Sequence, residues 1–191
     1  MAVSESMLQR MAEAGCIGMK FGVESGDPQM LKGIGKPLDL EKARKVARLC
    51  AKLGIKSHAT FTFGLLGETR ESLQKTLEFA KSLDVDTIQF SITTPFPGTR
   101  YYEELNTRGL LRSTDWRDYD GLGQCVVQFE NLSYEEVQEF CQRFAGRWLR
   151  HKAIQPRWVL RQMRYLGRVF YGQGLPGVAR LGRYAIRYLT H

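Results

Sequence analysis

The sequence lacks any run of about eighteen or more apolar residues, so it predicts no membrane-spanning helix. Its opening stretch, MAVSESMLQRMAEAG, carries acidic side chains where a secretory signal has a basic stretch followed by an apolar core. Hydrophobic residues make up 43% and charged residues 25%, which is the balance of a globular protein and not of a disordered one. These features favour a cytoplasmic globular protein.

Clustered metal ligands are also missing. The four cysteines are separated by 34, 75 and 16 residues, and these gaps match no metal-ligand pattern. Each cysteine lies within or beside an apolar pattern, which is typical of small buried side chains in a reducing compartment. We therefore expect no metal ligands in this chain. The cysteines are Cys16, Cys50, Cys125 and Cys141.

Acidic residues are absent from Phe140 to His191, where ten Arg and one Lys give a charge of +11. The remaining 17 basic and 20 acidic residues give residues 1–139 a charge of −3. The net charge of +8 therefore belongs to the C-terminal tail, whereas the rest of the chain is slightly acidic.

The first 112 residues alternate between helical and strand periodicity. Short helical crossovers join parallel strands, so the pattern predicts an α/β fold, the C-terminal half of a (β/α) TIM-like barrel. The predicted helices are 4–14, 39–53, 69–83 and 100–110, the predicted strands are 17–23, 56–65 and 87–93, and a polar turn is expected over 27–37.

The residues after this half-barrel are expected to cover it. Residues 113–139 are polar and aromatic, which predicts a loop with a short hairpin or edge strand. Ser133 with Glu136 three residues later predicts a capping box, and a helix follows to about residue 151. The chain thus divides into a half-barrel at 1–112, a covering segment at 113–151 and a basic helical tail at 152–191.

Polar residues and glycines mark the carboxyl end of each predicted strand. Glu24 ends the first strand, where a buried carboxylate needs hydrogen-bond donors that a ribose diol would supply. Gly64 and Gly67 follow the second and would let a ligand approach the backbone closely. Gln89 and Ser91 share one face of the third. Each signal alone is more typical of a cap, a turn or a barrel interior, but their succession along one sheet edge favours a ligand site.

Three segments resemble, in order and spacing, the second half of the radical S-adenosylmethionine (SAM) core. They are GVESGDPQMLKGIGK, FTFGLLGETRESLQKTLEFAKSLDVD and IQFSITTPFPGTRYYEEL. The similarity covers residues 1–112 and is closest to the branch whose members often carry a cobalamin-binding domain. The resemblance implies that Glu24 holds the SAM ribose and that Lys36 meets the SAM carboxylate, with a solvated loop lysine as an equal alternative. Further cofactor-binding positions implied in this way are Thr60, Phe63, Gly64, Gln89 and Ser91.

The family's three cysteines, spaced CxxxCxxC, are absent from the sequence, and so is its glycine-rich segment for the SAM amino group. The resemblance implies SAM and a [4Fe–4S] cluster as cofactors of the complete protein, with cobalamin as a further candidate. Because the cluster supplies the electron that cleaves SAM, we expect this chain alone to be inactive. A missing N-terminal half or a partner subunit would carry the signature. Without it, the open sheet edge predicts poor solubility.

The basic tail predicts two amphipathic helices, 157–171 and 178–189, separated by a Gly/Pro-rich break. Four arginines form one stripe beside a wide apolar and aromatic face, which suits an anionic membrane surface and an enzyme of a hydrophobic or lipid substrate. One alternative is packing of these helices on the barrel or on an absent domain, with the arginines solvated. Nucleic-acid binding ranks third, because the face carries too much Leu, Val and Ile. The stripe consists of Arg157, Arg161, Arg164 and Arg168.

Two functions remain open at this point. The first is a part of a radical SAM enzyme that cleaves SAM reductively or carries out radical methyl transfer. The alternative is a non-catalytic module that docks to membranes or serves as a scaffold.

Overall fold

The computed structural model describes residues 3–36, 38–120 and 124–190, with side chains described as far as residue 183. Helices and strands alternate through the first part of the chain, as predicted. The elements are α1 (Glu5–Glu13), β1 (Gly18–Glu24), α2 (Pro28–Gly33), α3 (Leu40–Leu53), β2 (Lys56–Phe63), α4 (Arg70–Ser82), β3 (Thr87–Ile92), α5 (Arg100–Thr107), a 3-10 turn (Trp116–Asp118), α6 (Tyr134–Ala153) and α7 (Pro156–Thr190).

The strands form a parallel sheet in the order β1-β2-β3. The register places Gly22 beside Thr60 and Thr60 beside Gln89. Each connection between neighbouring strands contains at least one helix, which is the crossover that parallel strands require. The carboxyl ends of the strands therefore lie at one edge, and the predicted α/β partial barrel is confirmed.

The two faces of this sheet differ in burial. Alternate residues of β2, from Ser57 to Phe63, are buried, whereas those between them, from Lys56 to Thr62, are partly exposed. Successive side chains of a strand point to opposite faces, so one face carries the core and the other is open. We call the second one the open face.

Side chains and glycines cap the helices, and the capping box predicted at Ser133 and Glu136 is confirmed. Ser4 accepts a hydrogen bond at the start of α1, and Asp39 accepts two at the start of α3. Gly54 ends α3 in the left-handed conformation, with φ 74°. At α6, Ser133 and Glu136 form the predicted capping box, in which each side chain accepts from the other residue's backbone N–H.

Helix α2 was not predicted, because Asp27 followed by Pro28 resembles a polar turn. Asp27 instead caps the helix by accepting from the Gln29 N–H at 2.9 Å, and Pro28 takes the first helical position, where no backbone donor is needed. Pro37, at the end of the predicted turn, lies outside the described residues.

Helix α6 closes the core over the buried face of the sheet. Phe144 is fully buried, and its ring centroid lies 5.6 Å from that of Phe61 and 4.9 Å from that of Phe63, both edge-on. One turn later, the Trp148 indole N–H donates to the Ala80 carbonyl of α4 at 3.1 Å. These contacts fix α6 against both the sheet and a neighbouring helix.

The covering segment is less regular than predicted. In place of a hairpin or edge strand, the described residues contain a single antiparallel bridge between Leu111 and Val127 and the 3-10 turn. Val127 and Phe129 are buried in the main core, so the segment packs through side chains and not through a strand ladder.

The start of α7 packs against the end of the sheet where the strands begin. The Trp158 indole N–H donates to the Val85 carbonyl at 3.1 Å, and Arg161 pairs with Asp84 and Asp86, each at 2.8 Å. Tyr165 lies under the Lys56 ammonium group at the start of β2. Packing on the barrel, one of the alternatives for the tail, therefore holds for this part of α7. Arg161, however, is paired and not merely solvated.

The predicted break between two tail helices is a kink within α7. Gly174 has φ 63° and ψ −164°, outside the helical region, and helical structure continues on both sides of it. Over the part of the chain that the structure describes, no helix is long and apolar enough to span a bilayer.

Candidate functional site

The open face carries a continuous set of polar side chains from all strands. The parallel register places them in rows, because residues paired across the sheet point to the same side. Of the predicted site residues, Glu24, Thr60, Gln89 and Ser91 contribute to this face. The structure thus brings together four positions that are separated by up to 67 residues in the sequence (from 24 to 91).

Glu24 sits in an unusual backbone conformation at the carboxyl end of β1. Its φ is 66°, in the left-handed region. Among the described residues, Glu24 is the one non-glycine residue with a positive φ. The register between β1 and β2 also shifts between Gly22 and Glu24, which marks a bulge. A left-handed non-glycine residue costs on the order of 1–3 kcal/mol and persists where surrounding contacts hold it.

Two such contacts hold the Glu24 carboxylate over the open face. Thr62 Oγ1 donates to Glu24 Oε2 at 2.8 Å, and Lys36 Nζ donates to Glu24 Oε1 at 2.6 Å. About 25% of the Glu24 side chain stays exposed. Because each carboxylate oxygen has two acceptor sites, both oxygens can accept further donors such as ribose hydroxyls.

Lys36 belongs to the same site and is not an isolated loop lysine. Besides the Glu24 ion pair, its Nζ donates to the Gly22 carbonyl at 3.1 Å. The pair depends on Gly22 lacking a side chain, since a Cβ there would lie 2.4 Å from Glu24 Oε1 and 3.0 Å from Lys36 Nζ. The Lys36 side chain is 39% exposed, which leaves donors for a second anionic group.

A second polar group lies nearer the start of the strands. Lys20 Nζ reaches across β2 and donates to Gln89 Oε1 at 3.0 Å, and His58 lies 2.7 Å from Thr87 Oγ1 through its Nδ1 atom. Burial lowers the pKa of His58, which favours the neutral imidazole. Lys20, His58 and the Glu24 partner Thr62 were not predicted as site residues, although the alternation of KSHATFTF places His58 and Thr62 on the same face as Thr60.

Phe63 does not share the open face. Its side chain is fully buried on the opposite side, where its ring centroid lies 5.4 Å from that of Phe140. Its carbonyl accepts from the Thr93 backbone N–H at 2.7 Å and from the Thr93 hydroxyl at 2.9 Å. The Phe63 side chain therefore cannot touch a ligand on the open face, and a cofactor contact through its backbone stays a prediction.

Gly64 lies in the loop after β2, with φ 76°. Its N–H donates to the Glu68 carboxylate at 2.5 Å, its carbonyl accepts from the Tyr101 hydroxyl at 3.1 Å, and the Leu65 N–H donates to the same Glu68 oxygen at 3.2 Å. Burial raises the pKa of Glu68 to about 7, against the lowering effect of these two backbone donors. Gly64 therefore forms part of a loop that Glu68 holds at the carboxyl edge of the sheet.

The described residues offer no group of three or more His, Cys, Asp or Glu side chains that could hold a metal ion. Cys50, Cys125 and Cys141 are buried, and Cys16 is half-buried. Burial also raises the pKa of the Cys50 thiol to about 11, which disfavours the thiolate that binds iron. The open face therefore offers hydrogen-bond donors and acceptors, among them Glu24, Lys36 and Gln89, to a polar ligand.

Sequence comparison finds a family match in the first part of the chain. Residues 1–80 match the radical SAM superfamily. Over these residues, the chain belongs to this superfamily. It is 32% identical over 152 residues to an uncharacterized methyltransferase of Pyrococcus horikoshii, and the aligned part is 79% of this chain and 33% of that protein. It is 35% identical over 108 residues to the bacteriochlorophyllide d C-12(1)-methyltransferase of Chlorobaculum tepidum, covering 56% of this chain and 23% of that enzyme.

A solved structure supports the same fold. The radical SAM methyltransferase TsrM from Kitasatospora setae, determined with cobalamin and a [4Fe–4S] cluster bound, matches with a TM-score of 0.52 and 26% identity. The match covers 60% of this radical SAM chain and 23% of TsrM. The chain therefore spans about a third or less of the length of these proteins.

Proposed function

We propose that this radical SAM chain supplies the adenosyl-binding part of a SAM-dependent methyltransferase. The observation that carries the proposal is Glu24, a left-handed, half-buried carboxylate at the carboxyl end of a parallel strand. Ligands of α/β folds bind at this edge, and backbone strain concentrates at functional sites. In the proposed complex, Glu24 accepts from the ribose hydroxyls and Lys36 donates to the SAM carboxylate. Thr60, Gln89 and Ser91 line the remaining surface.

Methyl transfer is the reaction favoured by the relatives, since the two described above are named as methyltransferases and so is TsrM. The same comparison also finds an anaerobic magnesium-protoporphyrin IX monomethyl ester cyclase of Rubrivivax gelatinosus, at 28% identity over 104 residues. Bacteriochlorophyllide and magnesium-protoporphyrin IX, which two of these names contain, are planar macrocycles, and an acceptor of this class is part of the proposal. Cobalamin as methyl carrier belongs to the same proposal.

A [4Fe–4S] cluster, when bound, supplies the electron that cleaves SAM. In this proposal its cysteine ligands come from a preceding segment or a partner subunit that pairs with the open edge of β1. The residues of this chain bind and orient the adenosyl group, and they exclude water from one side of it. The chain alone then binds SAM analogues weakly and turns over no substrate.

The test is the binding of adenosine, 2′-deoxyadenosine and S-adenosylhomocysteine to the chain, measured by titration calorimetry with a Glu24→Gln variant. A hydrogen bond to a charged group contributes roughly 1.5–3 kcal/mol, so E24Q should weaken adenosine binding by about tenfold or more. Wild type should prefer adenosine over 2′-deoxyadenosine, and E24Q should lose that preference.

The matched control is Glu13→Gln, which makes the same change at an exposed position at the end of α1. Equal adenosine affinity for wild type and E24Q, or equal weakening by E13Q, would contradict the proposed role of Glu24.

A further inference from the structure

Helix α7 presents two different faces along its first four turns. One face holds the residues that fasten the helix to the start of the strands, Trp158, Arg161 and Tyr165. With 3.6 residues per turn, Trp158 and Tyr165 fall close together, and the opposite side of the helix points away from the sheet. The packing thus determines which half of this amphipathic helix is left for other contacts.

The side that points away is apolar and exposed. Leu160 is 53% exposed, Met163 62%, Phe170 48% and Tyr171 89%. All four lie within the half of the helix opposite Trp158, so they form one continuous strip. Contiguous exposed apolar surface of this kind marks an interaction site and differs from single scattered residues.

One edge of this strip is basic. Arg157, Arg164 and Arg168 are exposed and lie side by side along the helix between the apolar strip and the packed face. No acidic residue occurs from Phe140 to the end of the sequence, so α7 itself carries no carboxylate, and Asp84 and Asp86 pair with Arg161 on the packed face. We call the strip and its edge the α7 outer face; it comprises Arg157, Leu160, Met163, Arg164, Arg168, Phe170 and Tyr171.

We propose that the α7 outer face binds an anionic lipid bilayer, with the helix lying in the plane of the headgroups. Helices that lie in a membrane surface combine two contributions. A wide apolar strip enters the boundary of the acyl chains, and arginines contact the lipid phosphates.

A second copy of the chain fits less well, because its arginines would meet these arginines. A nucleic acid would leave the apolar strip without a contact. The proposal does not depend on the adenosyl site.

The position of α7 also sets the orientation of the docked protein. Lys56 begins β2 and Asp86 directly precedes β3, so α7 lies at the amino ends of the strands. The adenosyl site lies at the carboxyl ends, about 26 Å away along the eight residues of β2. The docked bilayer therefore lies at the opposite end of the strands from the site. This position favours a role in localising the protein over direct extraction of a lipid substrate.

The test is sedimentation of the full chain with vesicles of phosphatidylcholine alone or mixed with phosphatidylglycerol. Each arginine near an anionic surface contributes on the order of fivefold to binding, so the triple variant R157Q/R164Q/R168Q should bind mixed vesicles roughly 10- to 100-fold more weakly. The control variant, K42Q/K45Q/R48Q, removes three exposed charges from α3 and should bind like wild type. A third variant, L160S/M163S/F170S, should also lose binding while keeping its circular dichroism spectrum.

Three results would overturn the proposal. The first is no sedimentation with either vesicle type. The second is an equal loss in the α3 control, which would indicate attraction by net charge alone. The third is a concentration-dependent dimer that L160S/M163S/F170S disrupts without any vesicle binding, which would assign the face to a second copy.

Discussion

Replacing Phe144 by alanine is expected to lower the free energy of unfolding by about 3–5 kcal/mol, because the site cannot collapse around the cavity. Phe144 is fully buried, and its ring contacts the rings of Phe61 and Phe63 on β2, of Phe90 on β3 and of Phe140 on its own helix. The substitution therefore removes the side chain through which α6 packs on the sheet. A domain is stable by about 5–15 kcal/mol, so this loss is a large share of the total.

Urea unfolding followed by tryptophan emission measures the effect, since Trp148 is buried one turn after Phe144. The control is Phe170→Ala, which removes the same side chain from a position that is 48% exposed and should change stability by well under half as much. A similar loss for both variants would mean that α6 does not pack on the sheet as described.

Replacing Gly26 by alanine is expected to destabilise the chain by about 1–3 kcal/mol and to weaken adenosine binding as well. A Cβ at Gly26 would lie 2.6 Å from Phe79 Cβ, 2.8 Å from the Lys75 carbonyl oxygen and 2.8 Å from Thr76 Cα. Two of these atoms belong to the backbone of α4, which cannot move aside easily. The turn after β1 would shift instead, and Glu24 lies two residues before Gly26.

The hydrogen bonds of this turn explain why it approaches α4 so closely. Thr76 Oγ1 accepts from the Gly26 N–H at 3.0 Å, and it lies 3.1 Å from the Ser25 hydroxyl. The matched control is Gly33→Ala, where a Cβ would meet nothing within 4 Å. Gly33→Ala should be neutral or stabilise by up to about 1 kcal/mol, because alanine favours the helix. Equal thermal midpoints and equal adenosine affinities for both variants would contradict the close packing at Gly26.

The regular elements were predictable because each has a periodic pattern and a local start signal. Ser4, Asp39, Thr69 and Ser133 cap helices in the structure and are apparent from sequence alone. Helix α2 has six residues, too few to show a 3.6-residue period, and its cap resembles a turn. Local sequence therefore predicted the long elements and missed the short one.

The site was predictable in part. Strand alternation places Thr60 beside Gln89 on the open face, but the left-handed backbone at Glu24 and its bonds to Lys36 and Thr62 depend on contacts between distant residues. The family resemblance included Phe63 among the cofactor-binding positions because of its place in the matching segment. Alternation within β2 places its side chain on the buried face. For α7, both sides of the helix carry apolar residues, so only its contacts with Val85 and Asp86 reveal which side faces outward.

The most direct test of the adenosyl site is the amide correlation spectrum of the isotope-labelled chain during titration with S-adenosylhomocysteine. The account predicts that the shifted amides cluster at the carboxyl end of the open face, around Gly22, Glu24, Thr62 and Ser91, and that E24Q greatly reduces these shifts. Shifts confined to α7 or spread evenly over the chain, or none at saturating ligand, would contradict a cofactor site on this face.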